Sequence, residues 1–207
     1  MDFHKTLLGA AIVAGSLTAT GAQAAIIDIF EGVGAGELRA DWEAAVGSFS
    51  EEDFTGFAND GSEDFIITTQ GSGHTGFGFA SDRLNDRLTP SNSTTITFDS
   101  DIFAFGANWD LTPAGQGLGI QINAGGELLV TEIPSSFSGE FFGFTSNMAI
   151  TSIILTGGTD PGGVAETYNA DNFVYKVPEP ASIALLGLGL AGIGFSRRKQ
   201  AVKLNQS

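Results

Sequence analysis

Hydrophobic and polar positions in the middle of the chain follow two different periods. In residues 37–46 (ELRADWEAAV), Leu38, Trp42 and Ala45/Val46 recur at helical spacing and fall on one face. Gly47 follows as a stop signal, so the pattern predicts one short helix, from Glu37 to Val46, packed on a sheet. Beyond this segment apolar positions alternate with polar or small ones, which is the period of β-strands.

The alternating segments are about five residues long and recur at short intervals, which is typical of antiparallel sandwiches. We therefore predict a mainly β domain, an antiparallel β-sandwich or jelly-roll-like fold with one short helix. Residues 118–122 and 128–130 predict a hairpin across Asn123-Ala124-Gly125-Gly126. A turn is predicted at Asp99-Ser100-Asp101. The predicted strands are 65–69, 76–79, 94–99, 102–106, 118–122, 128–130, 141–144, 150–155 and 173–175.

The first residues have the order of a secretory signal. Lys5, beside His4, precedes an apolar stretch over 6–18, and Ala22-Gln23-Ala24 forms an A-x-A cleavage site. Residues 1–24 are predicted to be a signal peptide that signal peptidase removes after Ala24. The alternative is a buried N-terminal helix.

The other end combines a proline motif, an apolar run and a basic cluster. Val177-Pro178-Glu179-Pro180 cannot continue a helix or a central strand, so it predicts an exposed, extended break. The run 181–195 would rise about 22 Å as a helix, less than the roughly 30 Å of a hydrocarbon core. Arg197, Arg198 and Lys199 place its C-terminal end in the cytoplasm, which leaves the middle domain outside the inner membrane.

Together these features resemble a PEP-CTERM sorting signal, here residues 177–207. The resemblance implies that Val177, Pro178, Glu179 and Pro180 are the recognition core, and that Arg197 and Arg198 are the stop-transfer cluster. It also implies cleavage near this motif by an exosortase, an integral-membrane, cysteine transpeptidase-like enzyme of Gram-negative bacteria that make exopolysaccharide. The residues after Lys199 extend beyond the usual tail, and a plain membrane anchor is the competing interpretation.

Charge and composition exclude several function classes. The chain has 24 acidic and 9 basic residues, a net charge of −15, and no cysteine. Phosphate binding needs Lys and Arg, so nucleic acid is excluded as a partner. The absence of cysteine excludes disulfides, thiol nucleophiles and thiolate metal sites. Five of the nine basic residues lie in the two end segments, so the middle domain, 25–176, is more acidic than the whole chain.

Few residues could carry catalysis. His74 is the only histidine outside the signal segment and is interpreted as a solvated loop residue, although it could act as a general base. Gly187, Gly189 and Gly192 match a dinucleotide fingerprint but lack the strand and downstream acid that it needs. We predict no catalytic and no cofactor-binding residues. A glycoside hydrolase that uses a carboxylate pair remains an alternative.

Calcium and sugar are the two ligands that the residue types allow. Residues 59–64 (NDGSED), Asp99-Ser100-Asp101 and Asp171-Asn172 are compact oxygen clusters that suit calcium, and capping of turns is their alternative role. No metal ligands are assigned. Trp42, Trp109, Tyr168 and Tyr175 are the candidate platforms for a sugar ring, with core packing as the alternative.

These observations predict an exported, non-enzymatic cell-surface or extracellular-matrix protein. It would be anchored transiently in the inner membrane, be processed by signal peptidase and an exosortase, and associate with exopolysaccharide or a biofilm. A sandwich-type carbohydrate-binding module is the first alternative, and a secreted hydrolase is the second.

Overall fold

Antiparallel strands make up most of the chain that the structure describes. The computed structural model describes residues 25, 27–31, 35–160 and 165–178. The helices and strands in this part, in chain order, are β1 (Ile27–Glu31), α1 (Ala35–Val46), β2 (Ser50–Glu52), β3 (Phe65–Gly71), β4 (Leu84–Leu88), β5 (Asn92–Leu111), β6 (Leu118–Ala124), β7 (Glu127–Ile133), β8 (Ser138–Gly157) and β9 (Glu166–Lys176).

Two 20-residue strands, β5 and β8, each contribute to both layers of a sandwich. In the first layer the order is β3, β5, β8, β6, β7, using the first half of β5 and the second half of β8. In the second layer the order is β1, β8, β5, β9, and β9 then pairs with both β2 and β4. The predicted antiparallel sandwich with one short helix is confirmed.

The passage between layers occurs at a bend in each long strand. The register of β5 on β8 shifts between Thr97 and Ile102, and again between Ile102 and Ala104. Strands that switch sheets at bulges make the corners of such sandwiches. The predicted turn at Asp99-Ser100-Asp101 is therefore wrong: these residues lie inside β5, where the strand bends without reversing direction.

The core lies between the two layers and is rich in aromatic rings. Side chains alternate along each strand, so every second residue faces inward. Phe105 and Trp109 from β5 and Phe173 from β9 are completely buried there, and the Phe173 ring contacts each of the other two. The first layer closes the core with buried aliphatic residues, among them Ile96, Ile120, Ile122, Ile153 and Leu155.

Helix α1 covers part of the outer face of the second layer. Trp42 and Val46 pack on Ala104, Phe141 and Val174, which point away from the main core. The Trp42 indole N–H donates to the carbonyl of Phe144 at 3.2 Å. The predicted helix is confirmed, with its start at Ala35, two residues before Glu37.

Glycine allows this helix to approach the sheet. A Cβ added at Gly106 would lie 2.3 Å from Phe141 Cζ, and one at Gly143 would lie 3.0 Å from Trp42 Cδ1. The Cβ at Gly143 would also lie 2.8 Å from Phe141 Cε1, so a side chain at either position would overlap the Phe141 ring, and one at Gly143 would press on Trp42 as well.

The local pattern misplaced several strands. The predicted hairpin is confirmed, since Gly125 and Gly126 both have positive φ and join β6 to β7. The predicted strand 76–79 is wrong, because only an isolated bridge joins Gly78 to Asn85. The structure adds β1, β2 and β4, which the sequence pattern did not predict.

Candidate functional site

The C-terminal sorting segment leaves the fold at the end of β9. The Tyr175 hydroxyl donates to Asp64 Oδ2 at 2.9 Å, and Lys176 Nζ donates to the carbonyl of Val46 at the end of α1. Val177 is 36% exposed and Pro178 is exposed, outside any strand. The predicted exposed break therefore begins one residue after a strand that the sheet and two side chains hold in place.

Most of the predicted targeting residues lie outside the described part of the chain. These are Ala22 and Ala24 at the N-terminal cleavage site, and Glu179, Pro180, Arg197 and Arg198 in the sorting segment. The apolar run 181–195 lies outside it as well. None of the helices in the described ranges has the length and apolar character that crossing a membrane requires.

His74 is not the solvated loop residue that the sequence predicted. Its side chain is only 13% exposed, and Nδ1 lies 2.8 Å from Asp86 Oδ2. Nε2 lies 3.0 Å from the carbonyl of Gln70. Both ring nitrogens thus face oxygen atoms that can only accept, which suits the doubly protonated ring.

The partner of His74 is a buried carboxylate that sequence reasoning missed. The Asp86 side chain is completely buried in β4, where it also accepts from Thr94 Oγ1 at 2.6 Å and from the Arg87 N–H at 2.7 Å. Asp86 alternates with Leu84 and Leu88 in β4, and an acidic residue on the inward face of an alternating strand was the available signal.

This pair lacks the geometry of a hydrolytic triad. A general base needs a nucleophile within hydrogen-bond reach of its free nitrogen. The Gln70 carbonyl takes that place beside Nε2, and the Thr94 hydroxyl donates to Asp86. In the described chain, His74 and Asp86 therefore serve to join the loop after β3 to β4.

All four candidate sugar platforms lie in the interior. Trp42, Trp109 and Tyr168 are completely buried and Tyr175 is 5% exposed. The alternative of core packing is correct for each of them, so none can present its ring to a ligand on the surface of this fold.

Two of the three candidate calcium clusters, 59–64 and Asp171-Asn172, already form hydrogen bonds with protein groups. Asn59 makes two 2.8 Å hydrogen bonds with the backbone of Ile67, and Asp60 accepts the N–H of Ser62 at 3.0 Å. Asp171 Oδ1 accepts the N–H of Asn172. Within the described ranges no three His, Cys, Asp or Glu residues are grouped as metal ligands.

A second buried carboxylate organises the loop between β5 and β6. Glu166 is completely buried; Oε1 accepts the N–H of Thr112 at 2.7 Å and Oε2 accepts the N–H of Gly117 at 2.9 Å. Burial raises the pKa of Glu166, although these N–H groups act in the opposite direction. A Cβ at Gly115 would lie 2.1 Å from Oε2, so the loop closes directly over the carboxylate.

Solved structures offer weak likenesses to this chain. A mutant of a family 29 carbohydrate-binding module has a TM-score of 0.41 and 10% identity, and the match covers 64% of this chain and 99% of that one. A β-1,3-glucan-binding family 6 module from Bacillus halodurans has a TM-score of 0.33 and 16% identity, with 62% and 96% covered. With TM-scores below 0.5, neither likeness supports a shared ligand.

Comparison at the level of sequence gives one specific match. No curated protein matches the chain significantly. The PEP-CTERM protein-sorting motif matches residues 176–199, a stretch that includes Val177, Pro178, Glu179, Pro180, Arg197 and Arg198. The motif implies export, membrane-associated sorting and processing by an exosortase. The chain therefore carries a PEP-CTERM sorting motif, which starts at the last residue of strand β9.

Proposed function

We propose that this chain is a non-enzymatic component of the cell surface or extracellular matrix of a Gram-negative bacterium. Signal peptidase removes residues 1–24 during export. The segment 177–207 then holds the protein at the inner membrane until an exosortase cleaves near Pro178-Glu179-Pro180. The released sandwich associates with exopolysaccharide.

The observation that carries this proposal is the position of the sorting motif relative to the fold. The motif begins at Lys176, which is the last residue of β9. The sandwich is thus finished where the sorting signal starts, as expected for a passenger domain that is delivered by its C-terminal segment.

The connection is short enough to keep the domain near the membrane before cleavage. Only residues 177–180 separate Lys176 from the apolar run. Four residues span at most about 14 Å when fully extended. If the run enters the bilayer, the end of β9 must stay within about that distance of the membrane surface, where the exosortase acts.

The charge of the domain supports an extracellular, hydrated setting. Between residues 35 and 176 the four basic residues are Arg39, Arg83, Arg87 and Lys176, among many acidic ones. A strongly charged surface keeps a protein soluble and separate from its neighbours. It also disfavours polyanionic partners such as nucleic acid.

Cell fractionation of tail variants tests the sorting step. Glu179→Gln together with Pro180→Ala removes the proposed recognition core without touching the described fold. The wild-type chain should reach the surface or medium with an intact mass that lacks both end segments. The variant should keep its C-terminal segment and collect in the membrane fraction.

A matched control separates recognition from general damage. Pro134→Ala with Glu127→Gln makes the same kinds of change at the surface of the sandwich and should be sorted normally. Surface delivery and mass that are unchanged in the Glu179 and Pro180 variant would overturn the proposal. Accumulation of uncleaved wild-type chain in cells without exosortase would support it.

A further inference from the structure

The outer face of the second layer is divided into a covered and an open half. In the covered half, the outward-facing residues of β5, β8 and β9 are Ala104, Phe141 and Val174, which pack under α1. Further along the same strands the outward positions become polar, and no element of the described chain lies over them. This open half forms a groove of about 390 Å³.

Four side chains on two neighbouring strands form the floor of this polar groove. Asn108 of β5 is paired with Asp171 of β9, and Asp110 is paired with Asn169. Paired residues point to the same face, so these four groups form an array with about 4.8 Å between strands and about 7 Å along each strand. Arg83 and Ser138 line its sides.

The groove offers both donors and acceptors that the fold leaves unused. Within the described chain, the side chains of Asp110 and Asn169 make no hydrogen bond. Asn108 uses one amide hydrogen, which it donates to the carbonyl of Gly139 at 3.0 Å. Arg83 Nε lies 3.6 Å from Asp171 Oδ2 and the Arg83 side chain is 49% exposed, so its other donors face solvent.

We propose that this polar groove binds a neutral polysaccharide. Sugar hydroxyls both donate and accept hydrogen bonds. They can therefore donate to the carboxylates of the groove, accept from the Arg83 guanidinium, and do both with the amides of Asn108 and Asn169. Neutrality follows from the charges, because Asp110 and Asp171 outnumber Arg83 and would repel a polyanion.

Other partner classes fit the groove less well. Protein and peptide partners are held mainly by apolar anchors that enter pockets. The exposed large apolar residues of the described chain are Ile29, Leu128, Val130 and Val177, and none of them lines the groove. The groove therefore favours a ligand that is recognised through hydrogen bonds alone.

This inference rests on the proposed function, since delivery to the matrix is what would bring the groove and polysaccharide together. Affinity gel electrophoresis of the purified full-length chain tests it, with laminarin and a mannan as neutral probes and alginate as an anionic one. At least one neutral probe should retard the wild-type chain. Asn169→Ala and Asp110→Asn should each weaken that affinity about tenfold, as expected when one or two hydrogen bonds are lost.

Gln121→Ala is the matched control, because Gln121 is a half-exposed polar residue on the outer face of the other layer. It should bind like wild type, and melting curves confirm that every variant is folded. Retardation by no neutral probe, retardation by alginate alone, or equal loss in Gln121→Ala would each overturn the inference. Failure here leaves fractionation of the tail variants unchanged, so the two proposals can fail separately.

Discussion

His74 Nδ1 and Asp86 Oδ2 lie 2.8 Å apart. Their contact joins the loop after β3 to strand β4. Burial lowers the pKa of His74, but the hydrogen bonds to Gln70 and Asp86 and the charge of Asp86 outweigh it, so the pKa is raised. A raised pKa in the folded state means that folding favours the protonated ring.

The stability of the domain should therefore depend on pH through His74. The contribution of His74 is fully present below its unfolded pKa of about 6.5 and is lost as pH rises through the higher folded value. Between about pH 5.5 and 8.5, the Tm of the wild-type chain should fall relative to that of His74→Gln. Parallel Tm curves for the two proteins would contradict this assignment, and Asp86→Asn should remove most of the difference.

The close approach of Phe141 to Gly106 predicts a large effect of one methyl group. Gly106→Ala should destabilise the fold by about 1–3 kcal/mol, because the new Cβ overlaps the Phe141 ring. Denaturant unfolding measures this change. In a double-mutant cycle, Phe141→Leu should recover part of the loss, since it removes the overlapping ring atoms. Additive effects of the two substitutions would show that the contact is not the cause.

Glu166 is expected to matter more than other acidic residues of the domain. Glu166→Gln replaces an acceptor oxygen by an amide group, which can no longer accept from both Thr112 and Gly117. A buried N–H left without its partner costs about 1–3 kcal/mol. Glu31→Gln, on the exposed side of β1, should change the free energy of unfolding by less than about 0.5 kcal/mol. Equal effects would argue against a loop-closing role.

A longer connection to the sorting motif should speed processing. Inserting a flexible Gly-Ser segment between Lys176 and Val177 moves the proline motif away from the pinned end of β9. Pulse-chase labelling should show faster loss of the C-terminal segment than in the wild-type chain. The same insertion between Gly125 and Gly126, in the β6–β7 turn, should leave the rate unchanged. A slower or equal rate after the first insertion would show that the fold does not limit access.

Calcium removal is expected to leave the fold intact. Asn59, Asp60 and Asp171 already use side-chain oxygens to accept protein N–H groups. The Tm should therefore be the same with chelator and with added calcium. A higher Tm in calcium would identify a bound ion, since a ligand of the native state stabilises it.

Local signals in the sequence were sufficient for some elements and not for others. The 3.6-residue spacing of Leu38, Trp42 and Val46 and the Gly125-Gly126 turn are encoded within a few residues, and both predictions are confirmed. Asp99-Ser100-Asp101 has the composition of a turn. The same residues also suit a strand bend, and only the pairing of β5 with β8 distinguishes the two.

Candidate sites depended on contacts between distant residues. His74 and Asp86 belong to different segments. The alternation of Asp86 with Leu84 and Leu88 indicates that it faces inward, but nothing local in the sequence places His74 and Thr94 beside it. The polar groove also depends on residues that are distant in sequence. Asn108 and Asn169 are ordinary outward positions of two strands, and the pairing of β5 with β9 places them side by side. The sorting motif, in contrast, is a continuous stretch of sequence, so it could be identified from the sequence alone.

The sharing of Lys176 between strand β9 and the sorting motif limits how freely the two parts can be exchanged. A tail cut at Val177 and fused to another cargo would lose the contacts of Tyr175 and Lys176 with Asp64 and Val46. Conversely, this sandwich joined to a foreign tail would keep the hydrogen bond to the Val46 carbonyl only if residue 176 were retained as lysine. Passenger and signal in this chain therefore overlap at one residue, and chimeras are best joined after Lys176, so that all of β9 stays in the sandwich.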